Sequence, residues 1–208
     1  MKLQILPTAA LLALSTIAAA QDVAPPSAPF QLILLAKDCA YNGSALYACH
    51  KGAAIEGLCT GNKAAPADAF NTFGQNYTTS GVNIDPNVGA VGILTWVLQA
   101  SDFSVPSAMS LYFNPASNVA IPLFEPGTSG STTQIAFDKK NRLNIPSYVD
   151  DTVTPPTASG TSTPLRRWYV CQNYYSGYSY VKSLSWVVGP GRPQNPSCEK
   201  VEVVRVFV

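Results

Sequence analysis

His50 is the only histidine in the chain. Any hydrolase that relies on an imidazole base would have to use it. Its neighbour Cys49 is the nearest nucleophile, but adjacent residues on a strand project to opposite faces, which is poor geometry for a nucleophile and its base. No Gly-x-Ser-x-Gly elbow supplies a serine in its place. His50 therefore reads as a structural or surface residue. The carboxylates offer a second route, because glycoside hydrolysis needs two, about 5 Å apart for retention or about 6.5–9.5 Å for inversion. Asp150 and Asp151 form the only adjacent acidic pair, and they read as a solvated turn. Asp38, Asp85, Asp102, Glu125 and Asp138 are scattered near turn signals.

The five cysteines are Cys39, Cys49, Cys59, Cys171 and Cys198. No two lie two to four residues apart, so zinc or iron–sulfur spacing is missing and no metal or other cofactor is expected. An odd number allows at most two bridges within the chain and leaves one thiol over. Cys171 and Cys198 flank a hairpin-like unit. A bridge between them would tie the last strands together, worth about 3 kcal/mol in loop entropy. Around Asn42-Gly43, a hairpin signal, Cys39 faces Cys49 if the loop carries one residue more than the tight two-residue form. That register makes Cys39–Cys49 the second expected pair.

Aromatic side chains give the strongest hint of binding. Trp168, Tyr169, Tyr174, Tyr175, Tyr178 and Tyr180 crowd together. One strand face can fill the core with them. The alternative is an exposed platform of Trp168, Tyr174, Tyr175 and Tyr178, on which sugars stack or protein partners anchor. Two glycosylation acceptors are present, Asn76-Tyr77-Thr78 and Asn42-Gly43-Ser44. Asn195-Pro196-Ser197 fails because of its proline.

These residues need a scaffold, and the chain's beginning says where that scaffold forms. Met1-Lys2 is basic, Leu3–Ile17 is mostly apolar, and Ala18-Ala19-Ala20 supplies small residues before Gln21. That order is a secretory leader over 1–20, too short and too broken by Pro7 to span a bilayer comfortably. Cleavage leaves 208 − 20 = 188 residues, enough for one domain with a real core. Without Lys2, 12 basic residues balance 12 acidic ones, so nothing draws the chain to nucleic acid or anionic membrane. Charged residues make up 12%, about half the usual share, and hydrophobic residues 47%, which argues against disorder. Export makes disulfides the default state of the cysteines.

Residues 21–29 are proline-rich and read as an extended lead-in, followed by one β-rich domain over 30–208. Strand-like runs recur at Phe30–Leu35, Leu46–His50, Val91–Leu98, Met109–Phe113, Asn118–Phe124 and Gln134–Asp138. Others follow at Leu143–Ile145, Leu165–Tyr175, Tyr178–Val188 and Glu199–Val208. Residues 60–86 are turn-rich. Residues 150–164, with three prolines and five threonines, read as an exposed loop. No segment keeps a helical apolar period with a cap. The fold class is all-β, an antiparallel β-sandwich of roughly ten short strands. A β-trefoil-like or other closed barrel is the alternative, although no threefold repeat is visible.

Several segments resemble an uncharacterised family of small secreted β-rich proteins from filamentous ascomycete fungi. They are Phe30-Gln31-Leu32, Ala48-Cys49-His50-Lys51-Gly52-Ala53-Ala54, Trp168-Tyr169-Val170-Cys171, Leu184-Ser185-Trp186-Val187-Val188-Gly189 and Asn195-Pro196-Ser197-Cys198. The resemblance implies a fungal secretome origin and a β-rich fold, and implies no activity. The leading expectation is a secreted, non-enzymatic binding or interaction protein: an effector, or a cell-wall or carbohydrate-binding protein. Its partner would be an extracellular protein or glycan. The alternatives are a carbohydrate-active hydrolase with paired carboxylates and a structural cell-wall component. Expression with its leader in a eukaryotic secretory host should yield a mature chain beginning at Gln21, as read by N-terminal mass spectrometry.

Overall fold

The computed structural model describes residues 26–77, 85–127, 132–175 and 177–208, the side chains of 178–180 excepted. The expected leader and most of the lead-in lie outside the described residues. The described chain is all-β, with thirteen strands: β1 (Phe30–Ala36), β2 (Ser44–Gly52), β3 (Ile55–Lys63), β4 (Gly74–Tyr77), β5 (Val91–Gln99), β6 (Ser104–Tyr112), β7 (Val119–Pro126), β8 (Gln134–Phe137), β9 (Leu143–Asp150), β10 (Thr157–Leu165), β11 (Trp168–Tyr175), β12 (Tyr178–Val187) and β13 (Glu199–Phe207). They pair antiparallel in one sheet along the order β10-β9-β8-β5-β6-β7-β12-β11-β13-β1-β2-β3, with β4 beside β5. β3 also pairs with β7 and β12, so the sheet folds back on itself.

Alternation along the strands turns one set of side chains inward. Phe30, Leu32 and Leu34 of β1, Leu46 of β2, Leu58 of β3, and Leu184 of β12 are fully buried in one core with Trp168 and Phe124. Trp168 meets Trp186 edge-on, with ring centroids 4.8 Å apart, and its Nε1–H donates to the Leu143 carbonyl at 3.0 Å. Such a ring carries a large apolar area and needs a partner for its one polar atom. Trp168 is therefore a core residue and not part of a surface platform.

Three elements depart from the sequence reading. β3 carries Gly57 and the turn-like Thr60-Gly61-Asn62, which mask its strand character, yet it is held on both edges. β4 lies in the segment read as turns. β10 occupies most of the expected exposed loop. It is indeed exposed, but it pairs with β9, with a register shift between Ala158 and Thr163. Both faces of β10 meet solvent over most of its length, so it carries no apolar alternation to be read.

The cysteines also differ from expectation. The β1–β2 connection is not a tight Asn-Gly hairpin. It winds around Asp38, whose carbonyl accepts from Tyr41 and Asn42 N–H at 3.2 and 3.1 Å, and whose Oδ1 accepts from Ala40 N–H at 2.8 Å. Cys39 stands in that turn, exposed and unpaired. Cys49 is bonded to Cys59 instead of Cys39, with Cα atoms 5.8 Å apart. The register explains it: Tyr47 faces Cys59 and Cys49 faces Gly57, so the two cysteines are diagonal neighbours on one face of the β2–β3 hairpin. Cys171 is bonded to Cys198, one step beyond the Val170–Glu199 pair of β11 and β13. Ser183 of β12 faces Cys59 on one side and Cys171 on the other, so the two bridges flank one strand.

A buried carboxylate fastens the other end. Asp138 is 4% exposed. Its Oδ1 accepts from Lys140 and Arg142 N–H at 2.8 and 3.0 Å, and its Oδ2 from Arg142 Nε at 2.9 Å and Arg166 Nη2 at 2.6 Å. The β8–β9 turn is thereby joined to the β10–β11 connection. Burial pushes this carboxyl up, but the Arg142 and Lys140 N–H groups and the Arg142 guanidinium outweigh it and hold it below the usual range. A depressed carboxyl stabilises the fold above the unfolded value of about 3.9, and that stabilisation is lost as pH falls through the folded value. Asp138→Asn should cost about 3 kcal/mol at pH 7 by urea unfolding, because two guanidinium groups lose their counter-charge. The gap from the parent protein should narrow steadily below about pH 4.

Candidate functional site

The β2–β3 hairpin and residues 62–71 enclose an open cleft of about 710 Å³. Its floor is set by close packing. A Cβ on Gly61 would lie 3.1 Å from Tyr47 Cδ1 and 3.0 Å from the Ala45 carbonyl oxygen. The absent side chain thus lets the Tyr47 ring lie against the β3 backbone. The Cys49–Cys59 bridge pins the hairpin beside it.

The facing wall is a loop, but a firmly held one. Asp68 Oδ1 accepts from Phe70 and Asn71 N–H at 2.8 and 3.0 Å, while Asn71 Oδ1 accepts from Asp68 N–H at 2.8 Å. Asn71 Nδ2 donates to the Pro66 carbonyl at 2.8 Å. The loop is tied to the sheet by Ala48 N–H donating to the Phe70 carbonyl at 2.7 Å and Trp96 Nε1–H to the Ala69 carbonyl at 2.8 Å. Phe70 itself is 60% exposed. Two aromatic rings, Tyr47 and Phe70, therefore border one cleft whose backbone is already ordered.

His50 stands at the rim. Its Nδ1 lies 3.2 Å from Glu56 Oε1, its direct partner across the hairpin. Glu56 is nearly buried, so it orients the imidazole. Thr60, also on the cleft, donates its hydroxyl to the Lys182 carbonyl at 3.3 Å.

A family model described as a domain of unknown function (DUF7907) matches residues 27–207. The chain belongs to that family. No curated protein and no solved structure matches it. Among its described residues no helix is long and apolar enough to cross a membrane, and no cluster of three or more His, Cys, Asp or Glu is placed to hold a metal ion.

Of the aromatic platform expected from the sequence, one member is placed elsewhere and the tyrosines are described only in part. Trp168 is in the core. Tyr174 is 65% exposed, whereas Tyr175 packs edge-on against Tyr112, ring centroids 5.0 Å apart. Burial, with Glu125 and Tyr112 nearby, raises the Tyr175 phenol above its ordinary pKa. The Tyr178 side chain lies outside the described residues. Asn76 is exposed on β4, with Thr78 of its acceptor motif outside the described residues, while exposed Asn42 uses Oδ1 to accept from Ala36 N–H at 3.2 Å. The adjacent carboxylates Asp150 and Asp151 are engaged in local structure. Asp151 takes both Nη atoms of Arg167, at 2.9 and 2.6 Å, and Asp150 accepts from the Thr152 hydroxyl and N–H. These bonds lower both carboxyls.

Sequence reasoning missed Tyr47 and Phe70 because the cleft joins segments across an unforeseen strand. The one local signal was Asp68 and Asn71, a spacing suited to a self-capping turn. Lys51 was missed as well. It is 1% exposed, its Nζ has no hydrogen-bond partner, and its stem lies over Gly57, where a Cβ would be 3.0 Å from Lys51 Cε. Burial holds its ammonium below the usual lysine range. Lys51→Met should therefore stabilise the protein, by about 1–3 kcal/mol in urea at pH 7. The folded form sheds this proton first, so parent stability should rise with pH above the folded value and the gap should shrink toward pH 10.

Proposed function

We propose that the protein is an exported, non-enzymatic binding protein that works outside the cell, and that the cleft between β2–β3 and residues 62–71 holds its partner, an extracellular protein or glycan. The leader-like start and two disulfides favour export. The observation that carries the binding reading is that two rings, Tyr47 and exposed Phe70, border one cleft whose wall is ordered by its own hydrogen bonds. An ordered site loses little entropy on binding, and aromatic anchors supply most of the energy at such sites. Within this reading the protein serves either as an effector facing a host or as a cell-wall component.

A second reading rests on Tyr174, which is exposed at the end of β11. It places the contact surface there instead. Both readings meet the same experiment: the secreted protein is applied to an array of oligosaccharides and to immobilised extracellular protein extracts. Tyr47→Ala and Phe70→Ala should each weaken capture at least about tenfold, with Tyr174→Ala unchanged. The reverse pattern would move the site to β11.

A further inference from the structure

We infer that the occupant of the cleft is an uncharged saccharide, an inference that rests on the cleft being the binding site. Among the described residues the lining contains no lysine or arginine, and its one imidazole, His50, already has Glu56 as a partner at 3.2 Å. A phosphate, sulfate or uronate would thus be desolvated without a lysine or arginine to receive it. A cationic ligand fares no better. Among the described residues Asp68 is the one carboxylate on the lining; it is exposed, so solvent and salt screen its attraction, and its Oδ1 already accepts two backbone N–H groups.

What remains is neutral and two-sided. Tyr47 and Phe70 contribute ring surface, and Asn62 contributes a neutral amide. A pyranose has matching chemistry: C–H faces that lie on aromatic rings, and a rim of hydroxyls that both donate and accept as an amide does. Gly61 and the small side chain of Ala65 add little bulk to the lining, which suits a flat ring. A folded protein partner would seek an enclosed socket for a protruding anchor, and this cleft is open.

The ring of Tyr47 lies close over Gly61, where a Cβ would come within 3.1 Å of its Cδ1. Gly61 is accordingly a positioning residue for the saccharide. Gly61→Ala should displace the ring and weaken binding while leaving Phe70 untouched.

The test is calorimetric titration of the intact secreted protein with neutral oligosaccharides of hexose and N-acetylhexosamine units. Uronic-acid oligosaccharides and an acidic and a basic peptide are run alongside. The expected result is binding of at least one neutral series, with affinity changing less than about twofold between 50 and 500 mM salt, since no charges are engaged. Tyr47→Ala and Phe70→Ala should each lower affinity at least tenfold. Phe70 is exposed, so that variant stays folded if Tyr47→Ala or Gly61→Ala does not, and circular dichroism checks each. Binding of a charged ligand that depends on Tyr47 and Phe70 would overturn the uncharged saccharide and leave the cleft standing. Neutral-sugar binding indifferent to both variants would overturn the cleft itself. Absence of binding by every neutral series at millimolar concentration would overturn the inference.

Discussion

The structure depends on β3 being hydrogen-bonded along both edges. It pairs with β2 on one side, and with β7 and β12 on the other. A strand at the end of a sheet leaves a row of unpaired N–H and C=O groups, which invite another chain. Here the sheet curls until its last strand meets its middle, and that edge is paired internally at Glu56, Gly57 and Cys59. Closure also traps the inward side chains of β1, β2, β3, β12 and β13 around Trp168 and Trp186, so the apolar core and the closed path require each other.

The two disulfides reinforce this closure. Cys49–Cys59 ties β2 to β3, and Cys171–Cys198 ties β11 to the start of β13. Ser183 lies in register with Cys59 and Cys171, so both bridges reinforce the same part of the sheet. Farther along, order comes from charge: Asp138 gathers Arg142 and Arg166, and Arg205 stacks over Phe137 and Phe207, 4.6 and 4.9 Å from the ring centroids. A low overall charge thus coexists with a few highly engaged ions.

The glycines of β3 link fold to site. Glycine weakens a strand, because it contributes no packing and loses much backbone freedom on folding. In β3 that loss is offset by two strand edges and a disulfide. The space it leaves is then used twice: Tyr47 lies over Gly61 at the cleft, and the stem of Lys51 lies over Gly57. A site formed in this way needs rigid neighbours, and the Asp68–Asn71 turn and the Trp96–Ala69 hydrogen bond supply them.

The all-β class was written in the chain itself. Alternating or continuous apolar runs such as Phe30–Leu35 and Val91–Leu98, punctuated by Gly, Pro and Asn, specify strands through local sterics and burial. Most strands with a face in the core were legible for that reason. β3 and β10 were not, the first because its glycines erase the pattern and the second because solvent bathes both faces over most of its length. The partner of Cys49 and the placing of Tyr47 and Phe70 on one cleft were decided only by tertiary structure. Both depend on register between strands, and register is set when distant segments bury a common core, which no local window of residues encodes.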